Sequence, residues 1–178
     1  MCGIVGYLGK RQATSFLVDG LSKLEYRGYD SAGVAVEDEN GKVTVVKHKG
    51  RLTNLSEDLD KNPVQGSIGI GHTRWATHGA PSDINSHPHK SSKGNITVVH
   101  NGIIENYLEL RKFLIGEGYE FKSQTDTEVI PNLIHYYFKG DLFEAVVAAT
   151  KKLEGSYAIG VISGDDSGKL VAVRKDSP

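Results

Sequence analysis

The sequence has very little cysteine: Cys2 is the only one in its 178 residues. A lone cysteine excludes an internal disulfide, which favours a reducing, cytoplasmic location. No apolar run approaches the roughly 18 residues of a membrane-spanning helix, and the first residues lack the charged start and long apolar core of a secretory signal. Lysine and arginine number 21 against 22 acidic residues, so there is no basic surplus to indicate a nucleic-acid partner. These absences predict a soluble protein with no membrane or nucleic-acid partner.

Length and composition indicate one globular domain over residues 1–178. That length falls within the range of a single domain, and 38% hydrophobic residues can supply a buried core. The 21 glycines are scattered rather than periodic, which is typical of tight turns and close backbone contacts. No repeat or linker divides the chain.

Hydrophobic periodicity predicts a mixed order of strands and helices. Asn40-Gly41 predicts a hairpin, because both turn positions favour positive φ. Pro131 predicts either a first-turn position or a kink in its helix. Strands and helices do not alternate regularly, so the order favours an α+β fold with antiparallel sheets covered by helices. Strands are expected at 2–9, 33–37, 43–47, 67–73, 96–100, 156–162 and 169–174, and helices at 11–26, 53–60, 105–115, 126–138 and 141–153.

Cys2 is a candidate nucleophile because of its position. Removal of Met1 would place a thiol and a free α-amine on one residue. The pKa of such an amine is about 7.7–8.0 and that of a thiol about 8.5. The amine can therefore accept the thiol proton near neutral pH without a separate histidine. The alternative is that Cys2 is a small buried hydrophobic residue in a terminal strand.

Residues 72–79 (HTRWATHG) and 101–102 carry candidate binding groups. The guanidinium of Arg74 suits a carboxylate, and Trp75 could wall a small pocket, although a plain surface loop is the alternative. The side-chain amide of Asn101 with the backbone N–H of Gly102 could form an oxyanion hole. An ordinary Asn-Gly turn is the alternative there.

Asp126 opens a predicted helix in the segment SQTDTE. A carboxylate there could hold a substrate ammonium group. Alternatively, Asp126 or Thr125 caps the helix with Glu128 nearby, a frequent role for these residue types.

No metal or cofactor site is predicted. His72, His78, His87 and His89 lie close in the sequence, but neither HExxH nor paired-cysteine spacing supports zinc. We expect most of them to be loop or core histidines. Residues 66–71 (GSIGIG) are not followed by the Gly-Lys-Ser/Thr of a phosphate-binding loop. No GxSxG segment supports a serine nucleophile.

Six segments together resemble the class II glutamine amidotransferases. They occur in the family's order and span essentially the whole chain: CGIVG, EYRGYDSAG, GHTRWATHG, HPH, VVHNGIIEN and QTDTEV. Each is weak alone, but the set is specific. EYRGYDSAG together with GHTRWATHG is most similar to the hexosamine branch of the family, the glutaminase domains of glucosamine-6-phosphate synthases. The purine and asparagine pathway amidotransferases are the alternatives within the family.

The resemblance implies an N-terminal nucleophile fold, an αββα sandwich of two antiparallel sheets between helical layers. It implies glutamine hydrolysis through a Cys2 thioester, with the α-amine as base. Asn101 and Gly102 would hold the oxyanion, Arg74 the substrate α-carboxylate and Asp126 the α-ammonium. Trp75, Thr77 and His78 would line the glutamine site, with Arg27 as a supporting residue.

The resemblance also suggests partners. Glutamine and glutamate are the expected ligands, with no cofactor. The family's domain continues beyond Pro178, and its two sugar-phosphate isomerase domains are absent here. Fructose 6-phosphate would therefore be bound only by a full-length parent enzyme; a homodimer is compatible with the resemblance. A hypothesis from another class is an inert glutamine-binding fragment, since a retained Met1 would remove the basic amine.

Overall fold

The computed structural model describes residues 2–76 and 79–177. The helices of this part of the chain are α1 (Ala13–Leu24), α2 (Leu52–Lys61), α3 (Tyr107–Gly116), α4 (Val129–Tyr137) and α5 (Leu142–Thr150). Its strands are β1 (Gly3–Leu8), β2 (Ser31–Glu37), β3 (Val43–Lys49), β4 (Ile68–Arg74), β5 (His89–Lys90), β6 (Ile96–Ile104), β7 (Gly155–Ser163) and β8 (Leu170–Lys175). Short 3-10 helices lie at Glu25–Arg27, Asp126–Glu128 and Gly164–Asp166.

The strands form two antiparallel sheets of four strands each. The first sheet has the order β1-β4-β2-β3 and the second the order β5-β6-β7-β8. The hairpin predicted at Asn40-Gly41 is confirmed, since β2 and β3 pair directly and Gly41 has a φ of 76°. The predicted α+β class with antiparallel sheets is likewise confirmed.

Three hydrophobic clusters define the layers of a sandwich. Helices α1 and α2 pack on the first sheet through residues such as Leu17 and Leu55. Helices α3, α4 and α5 pack on the second sheet through residues such as Leu114 and Leu133. A third cluster, which includes Ile70 and Val99, lies between the two sheets. The αββα architecture implied by the resemblance is therefore confirmed.

The alternation of side chains along the strands places three candidate site residues at one end of the layer between the sheets. Side chains two residues apart in a strand share a face. Ile4 of β1, Ile70 of β4 and Val99 of β6 belong to the inter-sheet cluster. Cys2, His72 and Asn101 lie two residues from these positions, so the same faces present them at the end of the core.

Two local expectations were wrong. The predicted strand 96–100 continues through Asn101-Gly102 to Ile104, so this pair is not a hairpin turn. Residues 74–95, expected as loop, begin with the last residue of β4 and contain the short strand β5, which pairs with β6.

Pro131 and Thr125 also have defined positions. Pro131 lies in the first turn of α4, where the backbone N–H has no intrahelical partner to lose. Thr125 precedes the 3-10 helix at Asp126–Glu128, but its side chain makes no capping hydrogen bond. The helix-capping alternative for Thr125 is therefore wrong.

None of the helices within residues 2–76 and 79–177 has both the length and the apolarity needed to cross a membrane.

Candidate active site

A cavity of about 370 Å³ opens where the inter-sheet layer ends. Its lining brings together residues from distant parts of the sequence. Those that the sequence predicted are Cys2, Arg27, Arg74, Trp75, Asn101, Gly102 and Asp126. Those that it did not predict include His87, His100, Thr125, Thr127 and Ser156. The predicted Thr77 and His78 lie outside the described residues.

Cys2 lies immediately before β1 and its thiol faces the start of the loop after β4. The backbone N–H of Trp75 donates to Sγ at 3.2 Å, and Sγ lies 3.6 Å from the Trp75 carbonyl oxygen. Burial is the largest influence on this group and raises the pKa of the Cys2 thiol, while the Trp75 hydrogen bond opposes that shift. The thiol is therefore protonated at neutral pH and needs a nearby base to react.

Arg74 and Asp126 supply opposite charges to the same cavity. Both are nearly fully buried, with 4% and 3% of their surfaces exposed. An Arg74 Nη2 atom donates to the Gly79 carbonyl oxygen at 3.0 Å. Asp126 Oδ2 accepts from the Ile104 backbone N–H at 2.8 Å. A small molecule with a carboxylate and an ammonium group matches this pair of charges.

Asn101 and Gly102 bring donors to the cavity from the interior of β6. Asn101 Nδ2 donates to the Cys2 carbonyl oxygen at 3.2 Å, which places the amide beside the nucleophile. Gly102 has a φ of 123°, and a Cβ there would come within 2.0 Å of the Ser156 carbonyl oxygen in β7. Both the conformation and the space therefore require glycine at position 102.

Four buried histidines form a cluster of which two members, His87 and His100, line the cavity; the four are His72, His87, His89 and His100. The rings of His72 and His87 stack with centroids 4.2 Å apart, and His89 meets His87 edge-on at 4.8 Å. Burial lowers the pKa of His72 to about 4 and of His100 to about 3. Burial also lowers the pKa values of His87 and His89 well below the ordinary range. All four are therefore neutral at pH 7.

Hydrogen bonds link the side chains of His87, Thr127 and His100. The His100 backbone N–H donates to His87 Nδ1 at 3.3 Å, so the proton of the neutral His87 ring lies on Nε2. Nε2 lies 3.4 Å from Thr127 Oγ1, which lies 2.8 Å from His100 Nδ1. Thr127 Oγ1 therefore accepts from His87 Nε2 and also hydrogen-bonds with His100 Nδ1.

Lys47 holds the segment that carries His87. Its Nζ donates to the carbonyl oxygens of Ser86 at 2.7 Å and Pro88 at 3.1 Å. Burial lowers the Lys47 pKa to about 8. The ammonium group thus ties β3 to the loop between β4 and β5.

The clustering of the four histidines was not predicted, because it depends on which strand faces meet. Most of His72, His78, His87 and His89 were expected to be loop or core histidines, which the burial of His72, His87 and His89 confirms. His100 was given no role. The alternation in IGIGHT could have indicated His72, since it shares the face of Ile68 and Ile70. Nothing local in HPH indicates that His87 stacks on His72.

Sequence comparison places these features in a family. The profile of the glutamine amidotransferase domain family matches residues 72–177. A glutamine–fructose-6-phosphate aminotransferase (isomerizing) of Clostridium perfringens is 70% identical over all 178 residues. The corresponding protein of Clostridium acetobutylicum is 64% identical over the same span. The chain spans about 29% of the length of these relatives.

Comparison with solved structures also finds an amidotransferase. The glutamine phosphoribosylpyrophosphate amidotransferase of B. subtilis, complexed with ADP and GMP, superposes with a TM-score of 0.79 at 28% identity. The match covers 92% of this chain and 35% of that one.

Proposed function

Because the chain belongs to the glutamine amidotransferase domain family, we propose that it hydrolyses L-glutamine to glutamate and ammonia through a thioester on Cys2. The observation that carries the proposal is the single cavity that joins Cys2, Arg74, Asn101 and Asp126. Glutamine has a carboxylate and an ammonium group at one end and a carboxamide at the other. The cavity offers a complementary charge for each end group and a thiol for the carboxamide.

The proposed reaction begins at the Cys2 thiol. With Met1 removed, the α-amine of Cys2 accepts the thiol proton, and Sγ attacks the carboxamide carbon of glutamine. The Asn101 amide and the Gly102 N–H stabilise the negative oxygen of the tetrahedral intermediate. The intermediate expels ammonia, which takes its proton from the α-ammonium of Cys2. Water then attacks the thioester and releases glutamate and the thiol.

In this proposal the residues around the thiol hold glutamine in place. Arg74 binds the α-carboxylate and Asp126 the α-ammonium, while Trp75, Thr77 and His78 line the site. Arg27, which lines the cavity beside Cys2, supports the nucleophile. The proposed reaction requires no metal or cofactor, since every proton transfer in it is assigned to a protein group or water.

We further propose that the ammonia serves glucosamine 6-phosphate synthesis. The support is the activity for which the relatives are named, glutamine–fructose-6-phosphate aminotransferase. Because the chain spans about 29% of those relatives, fructose 6-phosphate binding is proposed for a longer parent protein. The need for a free Cys2 thiol favours a cytoplasmic setting.

The test combines intact-mass spectrometry with a glutaminase assay. The chain is weighed before and after treatment with 6-diazo-5-oxonorleucine, a glutamine-mimicking electrophile, and glutamate release is measured in parallel. We expect Met1 to be absent and one adduct per chain to map to Cys2. Cys2→Ala should lower glutamate release at least about 10³-fold.

The control is glutamine binding by calorimetry, which Cys2→Ala should retain. Glutamate release that survives in Cys2→Ala would overturn the thioester mechanism. Binding without turnover in a wild-type chain that lacks Met1 would instead identify an inert glutamine-binding domain.

A further inference from the structure

We propose that His72 is a positioning residue that fixes which way the Asn101 side-chain amide points, and so aims its NH₂ group at the reacting centre. The inference rests on the proposed function, because it gives Asn101 its role at the oxyanion. His72 itself is not among the residues that line the cavity. It acts through Asn101.

The backbone of a neighbouring strand determines which ring nitrogen of His72 is protonated. Its Nε2 lies 3.0 Å from the carbonyl oxygen of His100. A carbonyl oxygen only accepts hydrogen bonds, so Nε2 must carry the ring proton. The backbone of β6 thereby selects the tautomer of a residue in β4.

The tautomer in turn fixes the amide of Asn101. The same Nε2 lies 2.8 Å from the Asn101 side chain. A protonated nitrogen requires an acceptor there, so the nearer amide atom is Oδ1. The NH₂ group then lies on the opposite side, where it donates to the Cys2 carbonyl oxygen at 3.2 Å. The reversed amide would place two donors against each other at 2.8 Å.

The surroundings hold His72 in this state. The ring is 1% exposed and stacks on His87 with centroids 4.2 Å apart. Nδ1 is buried and has no hydrogen-bond partner among residues 2–76 and 79–177. A charged ring would also carry a hydrogen on Nδ1, and no acceptor for that hydrogen lies among the described residues. A neutral ring with its proton on Nε2 is therefore the stable form.

The first test reads the tautomer in the wild-type chain. Histidine labelled with ¹⁵N is incorporated, and the ring nitrogens of His72 are assigned at pH 7 by comparison with His72→Gln. We expect a pyrrole-like Nε2 and a pyridine-like Nδ1. A proton on Nδ1 would overturn the proposal, whatever the activity of the chain.

The second test is a double-mutant cycle on glutamate release. His72→Phe keeps a flat ring but removes the donor to Asn101, and should lower kcat by about 10- to 100-fold, less than the roughly 10²–10³-fold cost of removing an oxyanion donor outright. KM for glutamine should stay within about threefold. The double variant His72→Phe/Asn101→Ala should have a kcat within about threefold of that of Asn101→Ala alone, because both substitutions act through the same amide.

Two variants separate positioning from general damage. His72→Gln restores an N–H donor and should recover part of the lost kcat. His89→Phe removes another buried histidine, one that contacts Thr125 rather than Asn101, and should stay within about threefold of wild-type kcat. Fully additive losses in the cycle would overturn the proposal. An inactive wild-type chain would contradict the proposed function instead, while the tautomer measurement would still decide the orientation of Asn101.

Discussion

At the scale of single residues, Asp126 has a structural hydrogen bond and a proposed binding role that one substitution can separate. Its Oδ2 accepts the Ile104 backbone N–H at 2.8 Å, and its charge faces the cavity proposed for glutamine. An asparagine keeps an oxygen for the N–H but has no charge for the ammonium. An alanine removes both, and an unsatisfied buried N–H costs about 1–3 kcal/mol.

We expect Asp126→Asn to raise KM for glutamine at least about tenfold, because a charge-assisted contact contributes more than a neutral one. Its free energy of unfolding should stay within about 1 kcal/mol of wild type. Asp126→Ala should raise KM similarly and also lower stability. Steady-state kinetics and urea unfolding measure the two effects. An unchanged KM in Asp126→Asn would restrict this residue to its structural hydrogen bond.

At the scale of elements, strand β6 carries the main departure from sequence-based expectation. Asn-Gly usually favours a turn, yet here it lies inside a nine-residue strand. Gly102 adopts positive φ without ending the pairing of β6 with β7. Its close approach to the Ser156 carbonyl oxygen leaves no room for a side chain at this point of the strand.

We expect Gly102→Ala to lower the free energy of unfolding by at least about 2 kcal/mol, from a strained φ and a steric clash. Gly116→Ala is the matched control. Gly116 is the last residue of α3, and a Cβ there meets nothing within 4 Å. The control should leave stability unchanged or raise it by up to about 1 kcal/mol. Chemical denaturation compares the pair, and equal stabilities would show that β6 relaxes around an added methyl group.

Local sequence patterns predict much of this architecture, but the rest depends on packing between distant parts of the chain. Alternation in β1 and β4 sets the faces on which Cys2 and His72 lie, and Asn40-Gly41 sets a hairpin. The two-residue strand β5 is too short to leave a periodic signal. The stacking of His87 on His72 depends on how the loop after β4 folds back, a long-range packing that no local preference encodes.

At the scale of the whole molecule, the four buried histidines make the sandwich sensitive to acid. Their pKa values are lowered in the folded state, chiefly by burial, whereas the ordinary histidine value is near 6.5. Below that value the unfolded chain binds more protons than the folded chain. Their contribution to stability is therefore complete above about pH 6.5 and is lost as pH falls toward the folded values of about 4 for His72 and about 3 for His100.

We expect the free energy of unfolding to fall between pH 6.5 and 4.5. Each histidine that is protonated only after unfolding adds a slope of about 1.4 kcal/mol per pH unit. Urea unfolding at several pH values measures the slope. His89→Phe should lower this slope by the contribution of about one histidine. A free energy that stays constant down to pH 5 would mean that the cluster takes up protons without unfolding.

The register of β1 on β4 has a consequence for insertions and deletions. Gly3 pairs with Thr73 and Leu8 with Ile68, and Cys2 stands directly before the first pair with no loop between. A loop can absorb a change in length, but a paired strand cannot do so without shifting its register. Deleting one residue within positions 3–8 would shift the pairing by one and turn the thiol to the opposite face of the sheet. Length variation in this chain should therefore be tolerated in its loops and excluded from its first eight residues.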